Sequence, residues 1–329
     1  MKKNNLLAAL VGTALFAWVI SHLRLSDAMQ EFKALRLAVP IVLATSLCRL
    51  ILQTTAWSQS VKAQRLSVPA GRLMGVRVAS QSMGYLTVLG PVLSEPMKIK
   101  LLGTPAEPTI TATALDDGVY WFTSTLMGIA GWLCLPLIAT HGVNHLWVAS
   151  AVFALLLVLF FIVREKSLLF VLVRRLGNRS PRWLTRAAIL ESSIRGHRRQ
   201  QPKTISRMFW IDVLCQLLVA SEVVVVLWAL HLPIHLLSVI AIEGITRGFK
   251  LVSGWIPARL GSDEGGAISA FALAGFSPVL GLALALTRRV RDLLWALIGL
   301  CWLLWRSRNA IQQDEGPAAR PGAILKEAF

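Results

Sequence analysis

Long apolar runs separated by short, mostly basic stretches organise this chain. Runs long enough to cross ~30 Å of hydrocarbon fall at Leu6–Leu23, Leu37–Trp57, Val119–Thr140, Leu146–Val163, Met208–Leu230, Ala267–Leu286 and Leu293–Trp305. Two further stretches, Val76–Leu93 and Leu236–Ile256, are shorter and run into helix-breaking segments. The first break reads Gly90-Pro91-Val92-Leu93-Ser94-Glu95-Pro96, and the second runs from Gly254 through Pro257, Arg259 and Gly261 to Glu264, Gly265 and Gly266. In each, an apolar run meets a proline, a small residue follows, then a carboxylate, then another apolar run. Pro91 and Pro257 lie 166 positions apart (257 − 91) in a chain of 329 residues. Matching breaks in two halves mark discontinuous helices around a binding site near the bilayer midplane. The pattern predicts an all-α polytopic membrane protein, with about seven transmembrane helices plus two re-entrant broken-helix hairpins forming an inverted repeat. One transmembrane domain is expected over residues 1–305, with halves of about 1–140 and 141–305 and a basic cytoplasmic loop at 164–207, followed by a disordered tail at 306–329.

Composition agrees: 55% of residues are apolar and 16% charged, which excludes an ordinary soluble domain. The formal charge of +17 does not point to nucleic acid, because the basic residues sit in loops beside apolar spans, where membrane orientation and anionic head groups account for them. Cys48, Cys134, Cys215 and Cys301 are scattered among apolar segments without metal-ligand or disulfide spacing and read as packing residues. Lys2 and Lys3 precede a first apolar run that lacks a small-x-small cleavage site, so it reads as a retained span with the N-terminus cytoplasmic.

The segment from Arg164 to Arg207 is densely basic and reads as cytoplasmic; Thr140–His145 and His231–His235, free of Lys and Arg, read as external. Lys62, Arg65, Arg72 and Arg77, with Lys98 and Lys100, place the mouth of the first hairpin on the cytoplasmic side, whereas the second hairpin follows the external turn at Pro233. The broken segments thus enter from opposite faces. Arg288, Arg289 and Arg291 are expected in a cytoplasmic turn, which leaves the tail from Arg306 onward external. Within the basic loop, Ser167–Arg175 and Trp183–Arg195 mix apolar and basic residues at helical spacing, as interfacial helices do.

Ionisable groups inside apolar segments cost ~2.5–3.5 kcal/mol each and belong in the protein interior or a wet cavity. Arg49 lies mid-span, and Glu243, Arg247 and Lys250 share one helical face. Glu243 and Arg247 fit either an internal ion pair or a headgroup site. Asp212 reads as a solvated boundary residue, and Asp116-Asp117 as a helix N-terminus. Pro91, Ser94, Pro257 and Gly261 supply the hairpin breaks, and Glu95 and Glu264 fit two roles: caps on the following helices, or groups that titrate during transport. Arg77, Lys98, Arg247, Lys250 and Arg259 surround these breaks with positive charge, for which a lipid phosphate is the natural partner.

No catalytic signature is present: no HExxH, G-x-S-x-G, P-loop or dinucleotide fingerprint. No cofactor is implied, and the pairs His141/His145 and His231/His235 read as ordinary turn residues rather than a metal site. With Pro257, Gly261 and Glu264 in a Pro-x-x-x-Gly-x-x-Glu arrangement, and Pro91, Ser94 and Glu95 as an earlier counterpart with serine for glycine, the chain resembles the flippase-like transmembrane domain of the lysylphosphatidylglycerol synthases. The resemblance spans roughly residues 5–305. It implies translocation of a polar lipid across the bilayer, and it does not imply lipid aminoacylation, which resides in a separate soluble domain. Two other readings stand beside it: a non-catalytic accessory subunit that binds a lipid or lipid-linked sugar for a lipid-modifying enzyme or glycosyltransferase, and a membrane-embedded transferase using Glu243 or Glu264 as base. For the topology, a cysteine placed at Ser192 is expected to react with impermeant reagent only after cell opening, and one at Asn144 in intact cells; the reverse labelling overturns it.

Overall fold

In the computed structural model, residues 35–86, 90–138, 196, 201–252, 256 and 259–314 are described. The expected spans Leu6–Leu23 and Leu146–Val163, the turn Thr140–His145, the interfacial stretches Ser167–Arg175 and Trp183–Arg195, most of the basic loop, Pro257 and residues 315–329 lie outside them. Among the described residues all regular structure is helical. A short 3-10 turn leads into α1 (Ala38–Ala63), followed by α2 (Ala70–Leu86), α3 (Gly90–Leu102), α4 (Ala106–Ile138), α5 (Pro202–Ala229), α6 (Leu236–Val252), α7 (Ser262–Leu273) and α8 (Pro278–Asp314). Three helical stretches, Leu35–Ala63, Ala106–Ile138 and Pro202–Ala229, are long and apolar enough to cross a membrane. At ~1.5 Å per residue, α8, with 37 residues, is also long enough, but charges at its middle lower its hydropathy.

The eight helices are two copies of one plan: a long helix, two short ones folded as a hairpin, and a long helix. α6 follows α2 by 166 positions at both ends (236 − 70 and 252 − 86), while α7 and α8 begin 172 positions after α3 and α4 (262 − 90 and 278 − 106). The break inside the second hairpin is therefore six residues longer than the first. Helix ends repeat as well. α1 stops at Arg65 (φ 58°) and α5 at His231 (φ 55°), both left-handed residues whose N–H groups bond back to Lys62 and Trp228. The hairpins end at Gly103 (φ 64°) and Gly275 (φ 82°), where a left-handed residue suits glycine.

The copies run in opposite directions. The Gln201 side chain reaches the Ala63 carbonyl, and Cys215 that of Arg49, so α1 and α5 are antiparallel. Each hairpin then packs on the last helix of the other copy: α6 on α4, and α2 on α8. At the first crossing Gly131 and Gly244 bring backbones together, since a Cβ on Gly131 would meet Gly244 Cα and the Ile240 carbonyl oxygen. At the second, Gly75 lies against Trp302, and Gly299 against Val78 and Ser82. Two apolar clusters close the ends of the molecule. Trp57, Val61, Leu73, Val76, Leu102 and Ala112 lie at the mouth of the first hairpin; Leu135, Val223, Leu227, Ile242, Ile245, Phe271 and Leu284 lie toward the mouth of the second.

Four expectations change. Ala267–Leu286 and Leu293–Trp305 are not separate spans: Gly275 and Pro278 end α7 and start α8, which continues unbroken through Arg288, Arg289 and Arg291 because each arginine finds a carboxylate on a neighbouring helix or on α8 itself. There is thus no basic turn there. Because Trp302 packs on Gly75, the far end of α8 lies at the mouth of the first hairpin, so Arg306 and that mouth share one side of the molecule, where opposite sides were expected. Residues 306–314, expected in a disordered tail, continue the helix. Finally, α4 starts at Ala106, so Asp116-Asp117 lies well inside a helix, not at its N-terminus.

Gly131→Val and Gly244→Val are each expected to force α4 and α6 apart and lower the unfolding midpoint in detergent by several degrees, a loss of about 1–3 kcal/mol as for an overpacked core. Gly265→Ala, whose Cβ meets nothing within 4 Å, should leave the midpoint unchanged.

Candidate functional site

Between the apolar clusters lies an ionic layer. Glu243 on α6 accepts from Arg247 Nε at 3.0 Å and from Arg288 Nη2 on α8 at 2.7 Å. Arg288 Nε also donates to Glu222 on α5 at 2.9 Å; Glu222 pairs with Arg291, and Arg291 with Asp292 at 2.9 Å. Signs alternate along this chain of six groups, so it is neutral as a whole. Such pairing is required in a membrane interior, where one unmatched charge costs several kcal/mol.

Each copy has its own clasp between hairpin and long helix, and the signs are exchanged. In the first, Arg77 on α2 pairs with Asp116 on α4, its guanidinium carbon 5.4 Å from the Trp57 ring centre. Lys98 on α3 pairs with Asp117 at 3.1 Å and Glu95 at 2.8 Å. In the second, Glu243 and Arg288 occupy the positions equivalent to Arg77 and Asp116 (243 − 77 and 288 − 116 give the same 166 and 172). Arg289, equivalent to Asp117, pairs with Glu264 on α7 at 2.5 Å.

A cavity of about 390 Å³ opens beside this layer. Its walls include Ser94 and Glu95 from the first hairpin and Ile256 and Arg259 from the second, so both breaks meet at one site. Of the residues expected there, Arg49, Arg77, Glu95, Lys98, Glu243, Arg247, Lys250 and Arg259 line it. Arg77, Lys98 and Arg247 carry carboxylate partners, and Arg247 Nη1 also reaches Ser124 Oγ at 2.6 Å. Arg49, Lys250 and Arg259 form no ion pair with the described residues, and Arg49 Nε is buried without an acceptor. Arg259 is held toward the cavity by a left-handed backbone (φ 48°) in the second break, a conformation that costs of order 1–3 kcal/mol away from glycine.

Glu264 stands behind the cavity wall. Its Oε2 accepts from the Gly261 N–H at 2.9 Å, capping α7 while Gly261 takes φ 78°. The cap role holds for Glu264 and fails for Glu95, which lies inside α3 and pairs with Lys98 because the first break precedes Gly90. Pro91 falls in the opening turn of α3, after the first break rather than inside it. Asp212 is not a solvated boundary residue: it is 1% exposed.

Asp116, Asp117, Asp212, Glu222, Arg288, Arg289, Arg291 and Asp292 are the groups of this layer that span-by-span reading places elsewhere or passes over. One signal for four of them was present: the doublets Asp116-Asp117 and Arg288-Arg289 recur 172 positions apart with opposite sign. A comparison of halves by residue type passes over that, and a comparison by charge magnitude finds it. Among the described residues no cluster of His, Cys, Asp and Glu is arranged to hold a metal ion.

In comparisons with known proteins, the family described as Lysylphosphatidylglycerol synthase TM region matches residues 5–300. No curated protein and no solved structure matches the chain.

Glu222→Gln leaves Arg288 and Arg291 with a neutral partner in a dry layer and is expected to cost about 3–5 kcal/mol, a midpoint fall of roughly 10 °C or more in detergent. Glu95→Gln, at a side chain 37% exposed, should cost less than about 1 kcal/mol.

Proposed function

The chain belongs to the family of lysylphosphatidylglycerol synthase transmembrane regions, and we propose that within it this protein carries a polar, phosphate-bearing lipid across the cytoplasmic membrane. The observation that supports this reading is the set of three cations, Arg49, Lys250 and Arg259, that line one cavity and form no ion pair with a described residue. The other basic residues of the cavity, Arg77, Lys98, Arg247 and Arg291, are each paired with a carboxylate. A cavity of about 390 Å³ accommodates a headgroup rather than a whole lipid, whose acyl chains stay in the bilayer.

Hydrogen bonds from a cation to a phosphate are roughly twice as strong as neutral ones, and a guanidinium offers the phosphate paired donors. Arg49 comes from the first copy, Lys250 and Arg259 from the second copy's hairpin, so a bound headgroup bridges elements that belong to opposite faces of the membrane. Rocking of one copy against the other would expose the same headgroup first to one side and then to the other.

The test is reconstitution of the purified protein into vesicles of phosphatidylcholine with a trace of labelled phosphatidylglycerol, scored for lipid that changes leaflet. Arg49→Gln, Lys250→Gln and Arg259→Gln are each expected to slow movement about tenfold or more, the worth of one charge-assisted hydrogen bond, while thermal midpoints stay within a few degrees of wild type. Lipid that binds in a stoichiometric amount but never changes leaflet would favour an accessory subunit that holds lipid for an enzyme or glycosyltransferase.

A further inference from the structure

One cavity group is left over by the ionic layer and by the three cations. Asp212, one turn before the middle of α5, is 1% exposed, lines the cavity, and has Oδ2 buried with no hydrogen-bond partner. No lysine or arginine among the described residues forms an ion pair with it. The charged groups that face it are already engaged or lie beyond pairing distance. α2 presents Arg77, which is held by Asp116; α4 presents Asp116 and Asp117, held by Arg77 and Lys98; α6 presents Glu243 and Arg247, which hold each other. α1 presents Arg49, whose carbonyl accepts from the Cys215 thiol and whose guanidinium forms no ion pair with Asp212.

The internal repeat shows that the fold does not need a carboxylate here. The equivalent position in α1 is Ser46 (212 − 166), a neutral residue that donates to the Leu43 carbonyl at 2.8 Å and accepts from Trp295 Nε1 at 2.9 Å. A small hydroxyl satisfies the same place in the first copy. As an anion, Asp212 would stand in a membrane interior without a direct ion-pair partner among the described residues, whereas the neutral acid needs none.

We propose that Asp212 is a proton-binding site of the cavity, loaded and unloaded as the cavity changes the face to which it opens. The step is the transfer of one proton from water to a carboxylate oxygen and back, with no other bond made or broken. The site rests on the lipid-translocation reading for its use, and on geometry alone for its existence. With a proton aboard, Asp212 adds no negative charge to the cavity and leaves Arg49, Lys250 and Arg259 to an anionic headgroup; without it, the carboxylate competes with that headgroup. Lipid binding and proton binding therefore favour each other.

Two measurements separate this proposal from the reading on which it rests. Infrared difference spectra of the wild-type protein in phosphatidylcholine vesicles, titrated from acid to alkaline pH, are expected to show the C=O stretch of a protonated carboxyl that D212N and D212S both lack. D212S carries the residue found at the equivalent position and keeps the test valid should D212N fold poorly. Superimposable titrations of wild type and variants overturn the proposal. In the leaflet assay, a pH gradient across the vesicles is expected to speed wild-type lipid movement by up to about tenfold per pH unit, the factor one unit is worth, and to leave D212S indifferent. Wild-type movement that ignores the gradient also overturns it, with the translocation reading intact. A titrating band from Asp212 in a protein that moves no lipid under any gradient upholds the site and removes the translocation reading.

Discussion

Charge neutrality in a medium that cannot solvate ions is the constraint on which the rest of this structure depends. Arg288 is held between Glu222 and Glu243, and Arg291 between Glu222 and Asp292. These groups come from α5, α6 and α8, so the ion pairs fix which helices must be neighbours and at what height. The apolar clusters above and below supply area, and lipid-facing helices would find similar apolar surroundings in many arrangements. The alternating layer supplies the discrimination, because sliding α8 by one turn would strand at least one arginine.

Backbone and charge obey different symmetries. The helices repeat with offsets of 166 and then 172 positions, down to the left-handed residues at Arg65 and His231. The clasps repeat with sign reversed: cation on the hairpin and anion on the long helix in one copy, the opposite in the other. An inverted repeat with equal charges would offer the same surface to a ligand from either face. Here the two halves of the cavity differ in sign pattern, so its two ends are electrostatically distinct.

Much of the fold was legible because hydrophobic length and helix breakers report on one element at a time. α1, α5 and α6 lie close to where apolar runs place them, and the two breaks do frame one cavity. What the sequence hides is pairing over distance. Arg288, Arg289 and Arg291 look like a loop when read alone, since their partners Glu222, Glu243 and Glu264 lie tens of residues upstream. Asp212 looks like a boundary residue for the same reason: its place near the start of a span says nothing about the depth of the cavity it faces. Among the cations, the local pair was legible: Glu243 stands one turn from Arg247 and matches it, while Arg49, with no acid in its own span, stays without an ion pair among the described residues.

The exchange of hairpins between copies bears on how the chain is made. α2 packs on α8, whose synthesis begins about 190 residues later, a wait of roughly 10–40 s at ordinary elongation rates of about 5–20 residues per second. For that interval the glycine face of α2 has no mate. Its charge, however, does: Arg77 needs only Asp116, and Lys98 only Asp117, both of which leave the ribosome within the same copy. The first half can thus enter the bilayer with its hairpin charges already paired and wait there sterically incomplete, with local ion pairs guarding the hairpin until the last helix arrives to close it.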